Sequence, residues 1–307
     1  MNAVSSDLNS FSQALVELVA KTATGVVAVK AAAYRTTSGV ALPGNLIAAA
    51  NHMVKGDSGI PLQTAAGAQA IGTVLGREPG LDLAILRSDG LPVEPLPFRD
   101  PGSVKAGDLI SVVGLTTDAG PSASLGIMGA VGGSRRMWRG GTLDHFFRLD
   151  VNLYPSQSGA AVVGADGALI GMATPALLRH SAVALPLPTL TRLADELLRQ
   201  GRIRRGYLGV GMQPVPIPTS LREKFGVGHE HGLIVLSVEQ DSPAERAGWQ
   251  LGDILVALND TPIVDVDDLQ AMLRGDTVGH QVKAFLIRGG EKVESEITID
   301  ERPSKGR

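Results

Sequence analysis

Val151-Asn-Leu-Tyr-Pro-Ser-Gln-Ser-Gly-Ala-Ala-Val-Val163 sets a turn of small residues between two apolar runs, with Ser158 near its apex. Serine and glycine between strands are ordinary turn residues. A serine held at such a bend can also be presented as a nucleophile. It then needs a histidine to take its proton, a carboxylate to orient that histidine, and N–H donors for the oxyanion. Whether Ser158 is turn punctuation or chemistry is decided by what the rest of the chain supplies.

Of the six histidines, His52 alone directly follows an apolar strand-like run, in Leu46-Ile-Ala-Ala-Ala-Asn-His-Met-Val54. His145, His180, His229, His231 and His280 lie in polar or loop-like contexts, where a solvated ring is the ordinary state. Asp82 in Gly80-Leu-Asp-Leu-Ala-Ile-Leu86 is embedded among apolar residues. Burying an unpaired carboxylate is costly, so an aspartate there implies a partner, and His52 is the natural one. Asp150, just upstream of the serine turn, is the rival acid, with a structural role bonding nearby amides as its alternative.

Around these residues the chain reads as mainly β. After a helical pattern at Leu8, Phe11, Leu15, Leu18 and Val19, with Ser5-Ser6-Asp7 as its cap, come short apolar runs at Gly25–Ala33, Ser38–Leu42, Leu46–Ala50, Ala70–Leu75, Leu83–Leu86 and Leu109–Val113. They continue at Ser124–Val131, Phe146–Leu149, Ala160–Val163, Ala168–Ala173 and Ser181–Leu185, a sandwich or barrel pattern. Leu190, Leu193, Ala194, Leu197 and Leu198 then give one amphipathic helix stopped by Gly201. A boundary is expected there, giving domains 1–203 and 204–303 and a tail 304–307. The second domain reads as α+β. Its elements are a strand Tyr207–Met212, a Pro-rich loop Gln213–Pro218, a helix Ser220–Phe225, a strand Leu233–Val238, a turn and helical segment Asp241–Trp249, a strand Ile254–Asn259, a helix Val266–Arg274 capped by Asp265, and two closing strands.

Composition narrows the chemistry. The 307 residues hold 44% hydrophobic residues, enough to fill a core in each domain, and 28 basic against 31 acidic residues leave a net charge of −3. Such a chain carries no broad footprint for nucleic acid, and the Arg202, Arg204, Arg205 cluster is short enough to be a solvated helix end. Zero cysteines exclude disulfides and thiolate chemistry. No His-Glu-x-x-His or paired-histidine spacing points to a metal, and nothing calls for a cofactor. No apolar run approaches the roughly 18 residues of a membrane helix. The start Met1-Asn-Ala-Val-Ser-Ser-Asp7 lacks the basic and apolar regions of a signal peptide, so the chain as it stands reads as cytoplasmic.

The order of Asn51-His-Met-Val54, Leu81-Asp-Leu-Ala-Ile-Leu86 and Ser156-Gln-Ser-Gly-Ala-Ala161 resembles the HtrA (DegP/DegS) family of chymotrypsin-fold serine proteases. The resemblance extends over nearly the whole chain through Val113-Gly-Leu115, Ser124-Leu-Gly-Ile-Met-Gly-Ala130, Ser181-Ala-Val-Ala-Leu-Pro186 and the PDZ-like Arg205-Gly-Tyr-Leu-Gly-Val210, Asp241-Ser-Pro-Ala-Glu-Arg-Ala-Gly248 and Leu251-Gly-Asp-Ile-Leu255. It implies a double β-barrel followed by a smaller α+β PDZ domain.

In that framework the triad is His52, Asp82 and Ser158, and the oxyanion donors are the amides of Ser156 and Ser158. Leu153, Met172 and Ala173 fall around an apolar S1 pocket, or belong to ordinary core. Tyr207, Leu208, Gly209 and Val210 form a carboxylate nest for a peptide C-terminus beside the helix bearing Leu269, Met272 and Leu273, residues that serve a core equally well. The implied protein is a homotrimeric, ATP-independent endopeptidase acting on unfolded or exposed polypeptides, in relatives mostly outside the cytoplasm. Ser156 stands where relatives have glycine, Gln157 where they have asparagine, and Ala160 and Ala161 where they have glycine and proline. A catalytically silent, peptide-binding scaffold is the alternative. An esterase fits less well, because the turn lacks a Gly-x-Ser-x-Gly elbow and no alternating βα pattern surrounds it.

Overall fold

The computed structural model describes residues 3–32, 35–137, 141–200, 206–273 and 277–301. The chain divides into two compact units, Met1–Ile203 and Arg204–Arg307. The Arg202, Arg204, Arg205 cluster, the Gly201 stop and the 304–307 tail lie outside the described residues.

The first unit opens with helix α1 (Ala3–Ala23), so Ser5-Ser6-Asp7 lie within its first turns and not at its cap. Strands β1 (Val26–Ala32), β2 (Arg35–Leu42), β3 (Leu46–Ala50), β4 (Ile60–Thr64), β5 (Gln69–Glu78) and β6 (Leu83–Arg87) close into a barrel in the order β1-β2-β3-β6-β5-β4. Strands β7 (Leu109–Thr116) and β8 (Gly120–Gly132) form a long hairpin, followed by a ribbon of β9 (Arg135–Arg136) and β10 (Thr142–Leu143). With β11 (Phe146–Asp150), β12 (Ala161–Gly164), β13 (Leu169–Thr174) and β14 (Ala182–Pro186) the hairpin closes a second barrel, and helix α2 (Leu187–Gln200) ends the unit.

β3, β13 and β14 are buried at every position, which explains why they read as unbroken apolar runs without the alternation of a half-exposed strand. Leu46, Ala48, Leu81, Leu83 and Ile85 of the first barrel share one cluster with Met172, Val183, Leu185 and, from α2, Leu190, Leu193 and Leu197. Ile47, Ala49, Ala84 and Leu86 form a separate cluster within the first barrel. Successive side chains of a strand thus feed two cores.

The second unit holds β15 (Gly206–Tyr207), β16 (Val210–Pro216), α3 (Thr219–Phe225), β17 (His231–Val238), α4 (Pro243–Arg246), β18 (Ile254–Leu258), β19 (Thr261–Pro262), α5 (Val266–Met272), β20 (Gln281–Arg288), β21 (Glu291–Thr298) and β22 (Asp300–Glu301). One expectation is corrected here. The Pro-rich stretch expected as a loop from Gln213 is strand as far as Pro216, pairing with residues 231–234 of β17. β16 is an edge strand, where the N–H that proline lacks is not required by a second neighbour. The turn and helical segment expected over Asp241–Trp249 are found, the helical part being α4, whose N-cap Ser242 accepts from Glu245 N–H and whose end leads to Gly248 at φ +73°. α5 begins as the sequence indicates, with the Asp265 carboxylate accepting from Asp268 N–H at 2.9 Å.

One ion pair anchors this unit. The fully buried Asp253 carboxylate accepts from Arg288 Nε at 2.7 Å, from Arg288 Nη2 at 2.8 Å and from Gln250 N–H at 2.8 Å. The Asp253 hydrogen bond raises the Arg288 pKa above its already high value. Arg288→Met strands that carboxylate with one donor. It is expected to destabilise the second unit by about 2 kcal/mol, read as earlier loss of hydrogen-exchange protection over residues 231–299 in rising urea while residues 26–186 keep theirs.

Candidate active site

Asp82 sits at the end of a 3₁₀ turn, Pro79–Leu81, in left-handed backbone at φ +55°, a region that aspartate tolerates better than most residues. The turn is fixed by the buried Glu78, whose carboxylate accepts from Gly80 N–H at 2.9 Å. This bend aims a 3%-exposed carboxylate at the turn leaving β3. There Asn51 N–H donates to Asp82 O at 2.9 Å and His52 N–H donates to Asp82 Oδ1 at 2.8 Å. The His52 ring meets the same group, with Nδ1 at 2.8 Å from Oδ2 and 3.0 Å from Oδ1. A carboxylate only accepts, so Nδ1 carries the proton and Nε2 is left as the ring's basic nitrogen.

Thr174, at the end of β13 in the second barrel, donates its hydroxyl to Asp82 Oδ2. No sequence signal marked it, since it lies 92 residues from its partner. Asp150, the rival acid, is exposed at the end of β11 and forms no hydrogen bond to His52.

Ser158 is 2% exposed and is held beside the His52 turn by backbone ties. Its carbonyl accepts from Ser38 N–H at 3.1 Å and from the Thr37 hydroxyl. Gly159 N–H donates to Ala173 O at 2.8 Å, one residue before Thr174. Gly159 has φ +81°, and a Cβ there would fall 2.1 Å from Ser38 O and 3.1 Å from Ala50 N, two residues before His52. Only glycine lets the serine turn sit this close to the end of β3. No hydrogen bond joins the Ser158 hydroxyl to the His52 ring among the described residues.

The residues before Ser158 form a second 3₁₀ turn, Pro155–Gln157, in which Ser158 N–H donates to Pro155 O at 3.3 Å. The fully buried Gln157 side chain braces it. Its Oε1 accepts from Tyr154 N–H and from the Ser124 hydroxyl, both at 3.0 Å, and its Nε2 donates to Val112 O at 3.5 Å. Ser38 Oγ donates to Ser156 O at 2.7 Å and accepts from Leu115 N–H at 2.9 Å. The Ser158 amide, one of the two expected oxyanion donors, is thus occupied by a neighbouring carbonyl.

Ala173 is buried within one core cluster of the second barrel and Leu153 packs against it, whereas Met172, on the other face of β13, packs into the cluster shared with the first barrel. In the second unit, Leu208, Leu269 and Leu273 are buried in one core, with Val210 and Met272 packed against it. The Leu208 and Gly209 carbonyls accept from Ala244 N–H at 2.9 Å and Glu239 N–H at 2.8 Å, while the amides of Leu208 and Gly209 donate to no described residue. Tyr207 donates its hydroxyl to Glu239 Oε2 at 2.6 Å. Among the described residues no group of three histidines or carboxylates could hold a metal ion, and no helix is long and apolar enough to cross a membrane.

A trypsin-like peptidase domain model matches residues 37–172 and a PDZ domain model matches residues 206–299. A probable periplasmic serine endoprotease, DegP-like, of Pseudomonas putida (strain W619) is 27% identical over 258 residues, covering 82% of this chain and 53% of the relative. Its counterpart in Brucella suis biovar 1 is 28% identical over 263 residues, covering 83% and 50%. The chain thus carries a trypsin-like peptidase domain followed by a PDZ domain and is similar to DegP-like serine endoproteases. It spans about half the length of the curated DegP-like relatives it matches. The fold is shared with the HtrA-type protease AlgW with decapeptide, at TM-score 0.78 and 22% identity over 94% of this chain and 99% of that one. It is shared also with the serine endoprotease from Yersinia pestis, at TM-score 0.76 and 24% identity over 93% and 97%.

The Thr174 hydroxyl is a contact at this site that can be removed alone. Thr174→Val keeps the shape and deprives the buried Asp82 of a donor, which should cost about 1–3 kcal/mol of stability. Calorimetry should show the loss in the first unit's unfolding and leave the second unit unchanged.

Proposed function

We propose that this chain is a serine endopeptidase that cleaves unfolded or exposed polypeptides. The observation that carries the proposal is the buried Asp82 carboxylate, which orients His52 through Nδ1 beside the turn bearing Ser158. In this reading His52 Nε2 takes the Ser158 hydroxyl proton as Oγ attacks the peptide carbonyl. Asp82 stabilises the imidazolium, which then protonates the leaving amine. Water, deprotonated by His52, releases the acyl group and restores Ser158. The Ser156 and Ser158 amides receive the oxyanion once Ser158 N–H leaves Pro155 O. Leu153 and Ala173 form the apolar S1 wall and select a small aliphatic side chain, whereas Met172, on the opposite face of β13, belongs to the core shared with the first barrel.

The second unit binds a peptide C-terminus at the Leu208 and Gly209 amides, with the peptide adding as a strand to the β16 edge beside α5. Val210, Leu269, Met272 and Leu273 provide the apolar contacts, and Tyr207 flanks the nest. Occupancy of this groove regulates turnover. The working form is a homotrimer. Its support beyond the family resemblance is α1, which packs on β7 and β8 and leaves Leu8, Phe11 and Val16 exposed, while Leu125 and Ile127 of β8 are exposed as well.

A second reading, a catalytically silent peptide-binding scaffold, draws on the occupied Ser158 amide and on serine in place of glycine at 156. An unfolded protein substrate distinguishes the two. Wild type should degrade it and Ser158→Ala should stay at background, with turnover by wild type rising when a peptide with a free C-terminus is added and not when that peptide is amidated. Equal background turnover by both proteins selects the scaffold.

A further inference from the structure

The turn that carries His52, residues 51–59, joins β3 to β4 and has no strand neighbour of its own. His52, Lys55, Gly56, Asp57 and Ser58 on it are exposed. Exposed backbone of this kind opens locally at low cost, yet a general base must keep its ring aligned for catalysis. Asp82 holds the first two residues of the turn. Something else must hold the remainder.

That holder is Arg77, on β5. Its guanidinium has five N–H groups, and all five are directed into this one turn. Nη1 donates to Asn51 Oδ1 at 2.8 Å and to Val54 O at 3.0 Å. Nη2 donates to Gly56 O at 2.6 Å and to Asp57 Oδ1 at 3.0 Å, and Nε donates to Asp57 Oδ1 at 3.1 Å. The bonds reach from the residue before His52 to the fifth residue after it. Arg77 itself is anchored, because β5 pairs Arg77 with Ala84 of β6, two residues beyond Asp82. The same strand also ties the turn through Val74 N–H, which donates to Asp57 O at 2.8 Å. Asp82 and Arg77 therefore grip the turn from one rigid pair of strands.

We propose that Arg77 is a positioning residue for the His52 base, acting through the turn and touching neither substrate nor nucleophile. The proposal rests on the reading of His52 as the general base. Its chemistry is specific to the planar fork: a lysine at this position keeps the charge but offers three donors from one atom and cannot span acceptors on Asn51, Val54, Gly56 and Asp57 together.

Arg77→Lys tests it in the full chain. The expected result is a fall in kcat of about 10- to 100-fold with KM unchanged, and broadening or loss of the downfield NMR resonance of the His52 Nδ1–H, followed in the Ser158→Ala background. An Arg77→Lys protein with wild-type kcat and an unaltered resonance overturns the proposal. So does a loss confined to KM. If Arg77→Lys fails to fold, Asn51→Ala takes its place, since it deletes a single acceptor of the clamp. A smaller change of the same sign in both readouts is then expected, and no change in either overturns the proposal. A wild-type chain that turns over no substrate sinks the hydrolase reading, and the resonance alone then decides whether Arg77 positions His52.

Discussion

The Asp82 carboxylate is 3% exposed and accepts from the His52 backbone, the His52 ring and the Thr174 hydroxyl. Those donors come from the first barrel's β3 exit and from the last residue of β13 in the second barrel, so one group satisfies contacts on both barrels. A buried carboxylate without donors is strongly disfavoured, and the two barrels must therefore meet in the arrangement that supplies them. The left-handed backbone at Asp82, the Glu78-braced 3₁₀ turn before it and the glycine at 159 are the local costs of that arrangement. The packing of Leu81 and Leu83 with Met172 and Leu185 offsets them.

The residues before Ser158 are under a different constraint. Gln157 and Ser38 together hold Tyr154, Ser156 and the 3₁₀ turn between them, each through a few hydrogen bonds worth about 1 kcal/mol apiece. The turn is thus fixed firmly enough to have one resting geometry and weakly enough to be rearranged by a ligand of ordinary affinity. Any oxyanion at this site competes with Pro155 O for the Ser158 amide.

Much of this was legible in the sequence. The fully buried strands announced themselves as apolar runs, α2 as a helical stripe, and Asp82 as a carboxylate embedded among apolar residues, whereas His52 was marked only by following an apolar run and Ser158 only by its turn. Thr174, Glu78, Arg77 and the bracing role of Gln157 were not legible, because their partners are chosen by barrel closure and carry no spacing rule. Thr174 finds Asp82 across 92 residues, and Gln157 reaches Ser124 across 33. Pro214 and Pro216 misled for a related reason. Proline speaks against a strand only where a second neighbour needs its N–H, and which strand lies at the edge is a property of the finished sheet.

The central claim is that Ser158 is a nucleophile activated by a histidine that Asp82 orients. Covalent labelling by an aryl fluorophosphonate, with the modified residue mapped by mass spectrometry, tests it without reference to any natural substrate. A single adduct is expected on Ser158, formed in the folded wild-type protein and lost in His52→Ala. Labelling spread over other serines, or an adduct on Ser158 that forms equally fast without His52, would contradict it.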